Sequence, residues 1–198
     1  MRTVFAAAAL LFALTAGLPA AAAPASVPKG TYKIDPDHAQ VIFMIQHMGL
    51  STFYGRFGSV SGTLTVDPAA PEQSTLDAQI DMTNISTHVE KLDSELKDVF
   101  DVAKYPTATF KATKITVTGD KTGTVTGDMT IKGITKPVTL NVTFNGGRNS
   151  PIPFAAYRLG FDATGTIKRE DFGLTGYIWG GFVGDEATIA IEAEFEKQ

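Results

Sequence analysis

Cysteine is absent from the 198 residues, which excludes a disulfide framework, a thiolate metal site and a lipidated N-terminal cysteine. Histidine is scarce, limited to His38, His47 and His88, and the one tryptophan is Trp179. Neither sign of charge dominates. Seventeen basic and 21 acidic side chains leave a formal net charge of −4, with the basic residues scattered along the chain. Such a molecule offers no electrostatic footprint for nucleic acid or for an anionic membrane surface. Long apolar runs are also missing beyond the N-terminus, so no later window is suited to span a bilayer as a helix.

The N-terminal run has its own meaning. Arg2 is followed by an uninterrupted apolar stretch from Val4 to Leu14, then by Pro19 and a series of alanines in which Ala20 and Ala22 have the spacing of a cleavage site. This is the pattern of a secretory signal peptide. It predicts a signal over 1–22, a linker over 23–29 and a single domain over 30–198, exported to the periplasm in soluble form. A domain of that size buries enough apolar surface to be held by its core alone.

The rest of the chain reads as all-β: short β-branched and aromatic stretches punctuated by Gly, Asp, Asn and Pro. Alternation is clearest in Leu76, Ala78, Ile80, Met82, in Val138, Leu140, Val142, Phe144, and in Ala187, Ile189, Ile191, Ala193, Phe195. Each series sets one apolar face against a core. Further strands are predicted over 32–34, 41–48, 60–66, 109–117, 124–131 and 157–167, with a bulge where the apolar parity shifts between Ala112 and Ile115. Turns are expected at 119–123, 133–137 and 145–147. One helix is predicted at about 88–98, with Thr87 and Glu90 in capping-box spacing and Val89, Leu92, Leu96 and Val99 as its apolar stripe. Lys91 and Glu95 are spaced to pair on its outer side. Three turns of helix are marginal alone, so the stripe must lie on the sheet or over an opening in it. Antiparallel strands of this number bury their faces and remove their edges most simply by closing into a barrel of around eight strands. A Greek-key sandwich is the alternative.

Motifs with catalytic associations do not survive inspection. His88-Val89-Glu90 lacks the two cysteines a zinc deaminase requires. Asp171-Phe172-Gly173 has no phosphate loop or catalytic loop to accompany it, and the stretch from Gly58 to Gly62 carries Val where a nucleophile elbow needs Ser. The three histidines with Asp35 and Asp37 show no ligand spacing that supports a metal site, and paired acids such as Glu192 and Glu194 read as a solvated face. No catalytic residue and no metal are predicted.

Several segments together resemble the YceI-like family of secreted polyisoprenoid-binding proteins. They are Tyr32–His38, Val41–His47 and Gly55-Arg56-Phe57; Asp98–Pro106 with Thr109-Phe110; Val125–Val138; and Asp171-Phe172-Gly173 with Val183–Ala187. The order and spacing cover nearly all of the chain after the signal. Small departures are Ala39, where the family usually has Ser, and Val99 before Phe100. The resemblance implies a lipocalin-like barrel of eight antiparallel strands enclosing a tunnel for an isoprenoid chain or isoprenoid quinone, with a role in periplasmic stress responses and no covalent cofactor.

The family's Val-x-Phe-x-x-x-His pattern sets Val41, Phe43, Ile45 and His47 inward. An isoprenoid tail offers no hydrogen bonds, so its tunnel must be apolar. Val41, Phe43, Ile45, Phe57, Phe110, Met129, Phe161 and Trp179 are the expected wall. A polar head would meet His47, Arg56 or Lys168 at the mouth, where a charge-assisted hydrogen bond to a quinone carbonyl or phosphate forms. The expected partners are an isoprenoid lipid and a transient membrane-protein partner, with no nucleic acid, and the protein acting as monomer or homodimer. Two other functions compete: an interaction module for membrane electron transfer or stress defence with a filled core, and an enzyme using histidines and carboxylates at the barrel mouth.

Overall fold

The computed structural model describes residues 27–152, 155–176 and 181–198. Nine strands are connected in one antiparallel sheet: β1 (Gly30–His47), β2 (Ser51–Arg56), β3 (Val60–Val66), β4 (Thr75–Asp81), β5 (Thr107–Val117), β6 (Thr122–Ile131), β7 (Ile134–Asn149), β8 (Tyr157–Lys168) and β9 (Val183–Lys197). Neighbours in sequence pair from β3 to β9, and β9 returns to β1 from Tyr32 opposite Lys197 to His47 opposite Val183. The sheet is therefore closed. β2 and β3 occupy one place in the ring, because β2 pairs with the last six residues of β1 and β3 with its first four. Eight positions around the barrel result, as the resemblance implies, and the closure rules out the Greek-key sandwich that the alternation left open.

Three expectations about the strands need correction. Tyr32–Ile34 and Val41–Met48 are not separate strands but parts of β1, joined across a looped-out segment, residues 35–38, between the pairs Ile34–Phe195 and Ala39–Ala193. β2 is a strand that the sequence pattern does not show, since Ser51–Arg56 carries no clean alternation. Asn145-Gly146-Gly147 does not turn the chain: β7 runs through to Asn149 with an irregularity between Phe144 and Gly146. Glycine there serves close packing, as a Cβ on Gly147 would stand 2.7 Å from the Tyr157 hydroxyl and 2.8 Å from a Leu159 methyl. The irregularity expected in β5 is present, between Ala112 and Lys114. The turn before β7 is tighter than expected, with Lys132 and Gly133 at positive φ and Pro137 already inside the strand.

The helix α1 (Glu90–Phe100) lies between β4 and β5. Its N-terminus reverses the predicted cap. Val89 is the N-cap residue without a side-chain bond, and Asp93 reaches back to accept from the Thr87 N–H at 2.6 Å and the Thr87 hydroxyl at 2.5 Å. The carboxylate also sits favourably in the positive end of the helix dipole. His88 stands at positive φ before the helix. The buried stripe is Leu96 and Phe100 with Leu92 half-buried, while Val89 is exposed. Lys91 and Glu95 approach to 3.9 Å.

On the outer wall an ionic network crosses three strands. Arg158 of β8 donates to Asp35 in the β1 loop-out at 2.6 Å, to Glu194 of β9 at 2.9 Å, and to Glu196 of β9. Asp35 also receives the His38 ring at 2.7 Å and the Asp37 backbone N–H. Glu194 is thus a structural partner and not simply a solvated acid. Ligand atoms of Asp35, His38 and Glu194 lie within 4.8 Å of one another, with the Arg158 guanidinium supplying positive charge to two of them. Burial of Asp35 works to raise its pKa, but the hydrogen bonds from His38 and Arg158 outweigh it and hold the carboxyl below its ordinary value. The His38 imidazole is raised by its hydrogen bond to Asp35 and by that carboxylate's charge.

These directions fix a pH dependence. The lowered Asp35 contributes stability above the ordinary carboxylate range and loses it as pH falls through its folded value. The raised His38 contributes below the ordinary imidazole value and loses it as pH rises through its folded value. Thermal stability from this network should therefore be greatest between about pH 4 and pH 6.5. In His38→Asn, melting followed across pH should lack the alkaline-side decline; an identical profile would mean the pair is not formed in solution.

Candidate functional site

The barrel is hollow. An upper chamber of ≈ 610 Å³ is lined by the second half of β1, by β2, by α1 and by Arg169, Leu174 and Phe182 between β8 and β9. A lower chamber of ≈ 430 Å³ is lined by the first half of β1 and reaches Pro68 and Pro71 before β4 and the hairpin between β5 and β6. Val41, Ile80 and Met129 line both, and all three are buried. They form a waist between the two spaces. Each chamber is within the size range of small-molecule pockets, about 300 to 1,000 Å³.

Alternation along β1 creates the upper wall: Val41, Phe43, Ile45 and His47 all face the chamber, as the sequence pattern implies. Ile42 and Met44 line neither chamber. Gly55, opposite Phe43 in the ladder, makes room for that ring, since a Cβ there would stand 2.3 Å from it. Phe43 packs on Phe57 with centroids 5.3 Å apart, and Phe57 meets Phe100 of α1 edge-on at 5.7 Å. Offset and edge-on contacts of this kind suit the ring quadrupoles. They tie the helix to the barrel over the upper chamber. In the lower chamber Phe161 lies between Phe144 and Phe195, at 5.1 Å and 5.6 Å.

The expected wall residues separate between the spaces. Phe43, Ile45 and Phe57 line the upper chamber, Phe110 and Phe161 the lower, and Val41 and Met129 the waist. Trp179 lies outside the described residues.

The structure separates the three residues expected at the polar mouth. His47 lines the upper chamber and is exposed, but Arg56 and Lys168 point away from it: Arg56 is exposed on β2 between the inward Gly55 and Phe57, and Lys168 is exposed at the end of β8. The lining cation is Arg169, in the 3-10 turn Arg169–Phe172 after β8. Sequence reasoning missed it, although parity carries the signal. Phe161, Ala163 and Ile167 alternate inward along β8, and two residues further is Arg169, not Lys168. Its Nε donates to the Gly184 carbonyl at 2.9 Å and an Nη to the Leu174 carbonyl at 2.9 Å. Among the described residues, Ser51 and Glu95 are the remaining polar side chains of the upper lining. Phe182 lines it while half-exposed, and its carbonyl accepts from the Met48 N–H at 2.7 Å. That bond joins the tip of the β1–β2 hairpin to the β8–β9 connection. Exposed Met48 and Leu50 stand at the same tip.

Among the described residues no helix is long and apolar enough to cross a membrane.

Comparison with known proteins gives a consistent set of likenesses. The YceI-like domain matches residues 32–195. A protein of Pseudomonas savastanoi pv. phaseolicola designated UPF0312 is 41% identical over 149 residues, 73% of this chain and 77% of that protein. The crystal structure of BcnA from Burkholderia cenocepacia superposes with a TM-score of 0.72 at 27% identity, covering 81% of this chain and 98% of BcnA. A polyisoprenoid binding domain from Saccharophagus degradans, implicated in plant cell wall breakdown, has a TM-score of 0.61 at 17% identity, covering 86% and 100%. At that identity the last likeness is one of fold.

Proposed function

Since the chain belongs to the YceI-like family, we propose that it is a periplasmic carrier which holds a long isoprenoid lipid, a polyprenyl chain or an isoprenoid quinone, inside its barrel and does no covalent chemistry. The observation that carries this reading is a pair of adjacent chambers inside the barrel, both with predominantly apolar linings and with Val41, Ile80 and Met129 common to their walls. A solid plug of side chains would suit an interaction module; the two spaces argue against that alternative. Two chambers set end to end favour a slender flexible guest over a compact one, because a chain passing between Val41, Ile80 and Met129 would occupy both spaces.

The energetics agree. Each methylene withdrawn from water contributes about 0.8 kcal/mol, so one five-carbon isoprene unit contributes roughly 4 kcal/mol before the costs of ordering the chain. A few units suffice for tight retention, and specificity for tail chemistry needs no hydrogen bond. The N-terminal segment supports export, where such a carrier would meet membrane lipids.

Protein purified from its native compartment, extracted with organic solvent and analysed by mass spectrometry, should release an isoprenoid at close to one per chain. Stoichiometric recovery of protein with no lipid, from material never exposed to detergent, would remove the carrier reading.

A further inference from the structure

Three of the four polar side chains that line the upper chamber among the described residues gather at one end, Glu95 of α1 being the fourth. His47, Ser51 and Arg169 come from the end of β1, the start of β2 and the turn after β8, whereas the waist below is Val41, Ile80 and Met129. Arg169 differs from its neighbours in being buried, with its side chain 8% exposed. A guanidinium keeps its charge at every accessible pH, so burial demands compensation from acceptors or counter-charge.

Among the described residues each Arg169 nitrogen has a partner, but not every N–H and not every contact is close. Beyond the Gly184 and Leu174 carbonyls at 2.9 Å, the second terminal nitrogen reaches the Glu170 carboxylate only at 3.4 Å and the Val183 carbonyl at 3.5 Å. Glu170 is itself 59% exposed, and its charge is correspondingly screened. Of the five N–H groups of a guanidinium, these contacts leave one without an acceptor among the described residues. Glu95 lines the chamber from α1 and is within 3.9 Å of Lys91. The carbonyl bonds hold the Arg169 fork in position before any guest arrives, so little ordering is lost on binding.

We infer that Arg169 anchors the oxygen-bearing head of the guest, so that an isoprenoid lies with its head in the upper chamber and its tail through the waist into the lower one. This inference rests on the carrier reading and adds an orientation and a head chemistry to it. The head is a hydrogen-bond acceptor, either a quinone carbonyl or a phosphate, and it completes the partners of a buried charge. A pure hydrocarbon gains nothing from this contact.

The test titrates the full chain with three probes: squalene, which has no head, a long-chain isoprenoid quinone and a polyprenyl phosphate. The wild-type protein should bind at least one headed probe roughly ten- to a hundredfold more tightly than squalene. Arg169→Gln should remove that preference and leave squalene affinity within about twofold. If the glutamine variant fails to fold, Arg169→Lys serves, because it keeps the charge and loses the planar fork. Which headed probe is preferred identifies the head as carbonyl or phosphate. Equal weakening of all three probes, or equal wild-type affinity for all three, would show that Arg169 only holds its loop and overturns the anchor alone. Absence of binding to any probe overturns the carrier reading and the anchor with it.

Discussion

Ile45→Glu should empty the protein of lipid while leaving it folded. Ile45 faces the upper chamber from β1, half-buried at the margin of the packed core. A glutamate there can draw water into the cavity without breaking the strand's ladder to Phe53 and Ala187. An isoprenoid cannot solvate the carboxylate, and the charge left without a partner disfavours the loaded state by about 3 kcal/mol, on the order of a hundredfold in affinity. Extraction and mass spectrometry give the measurement, with circular dichroism reporting the fold. Met44→Glu is the matched control. It lies on the same strand and lines neither chamber, so it should retain lipid as the wild type does. Lipid carried equally by a folded Ile45→Glu protein would place the guest elsewhere.

The second large effect concerns stability. Arg158→Met should lower Tm substantially, because three carboxylates, Asp35, Glu194 and Glu196, converge on this guanidinium and would then face one another. Asp35 is the critical member, since its side chain is only 10% exposed. Removing one side of such a pair leaves a nearly buried charge unpaired, whereas an exposed pair is worth little. With Arg158 a quarter exposed, a cost of about 2 to 3 kcal/mol is expected, a Tm fall of roughly 5 to 10 °C for a chain of this size. Asp35→Asn in the same chain should restore part of it. The double mutant measures the coupling directly. Loss of less than a degree would show the network to be worth no more than a surface pair.

The cavity wall and the ionic network are not equally legible in the sequence. Alternation in 187–195 and 138–144 places β9 and much of β7 without ambiguity, because one face of each meets an apolar interior and the other meets water. The hollow is not readable from those positions. Phe110 or Met129 has the same pattern whether it packs against another side chain or borders a void, since both remove it from solvent. The β1 loop-out is hidden because Asp35-Pro36-Asp37-His38 has the composition of a turn. What keeps the strand continuous is the pairing of β1 with β9 on either side of it, a contact remote in sequence. Arg158 likewise shows its purpose only when β1, β8 and β9 lie side by side. Arg169 is the opposite case: its inward direction is present in the parity of β8, and the adjacent Lys168 masks it.

Glycine misleads for a related reason. Gly146-Gly147 carries the composition of a turn, yet it lies inside a strand, where Gly147 lets Tyr157 and Leu159 approach the backbone. Composition reports conformational freedom, and the surrounding side chains decide how that freedom is used.

The return of β9 to β1 has one more consequence. A sheet bonded to itself all the way round has a circumference fixed by the number of its strands, so it cannot be stretched to admit a bulkier molecule without rupturing a whole seam of backbone bonds. Discrimination by this protein should consequently act on the thickness of a guest: extra repeating units at the tail can be left trailing beyond the lower chamber, but a fused-ring lipid of equal mass meets an unyielding hoop.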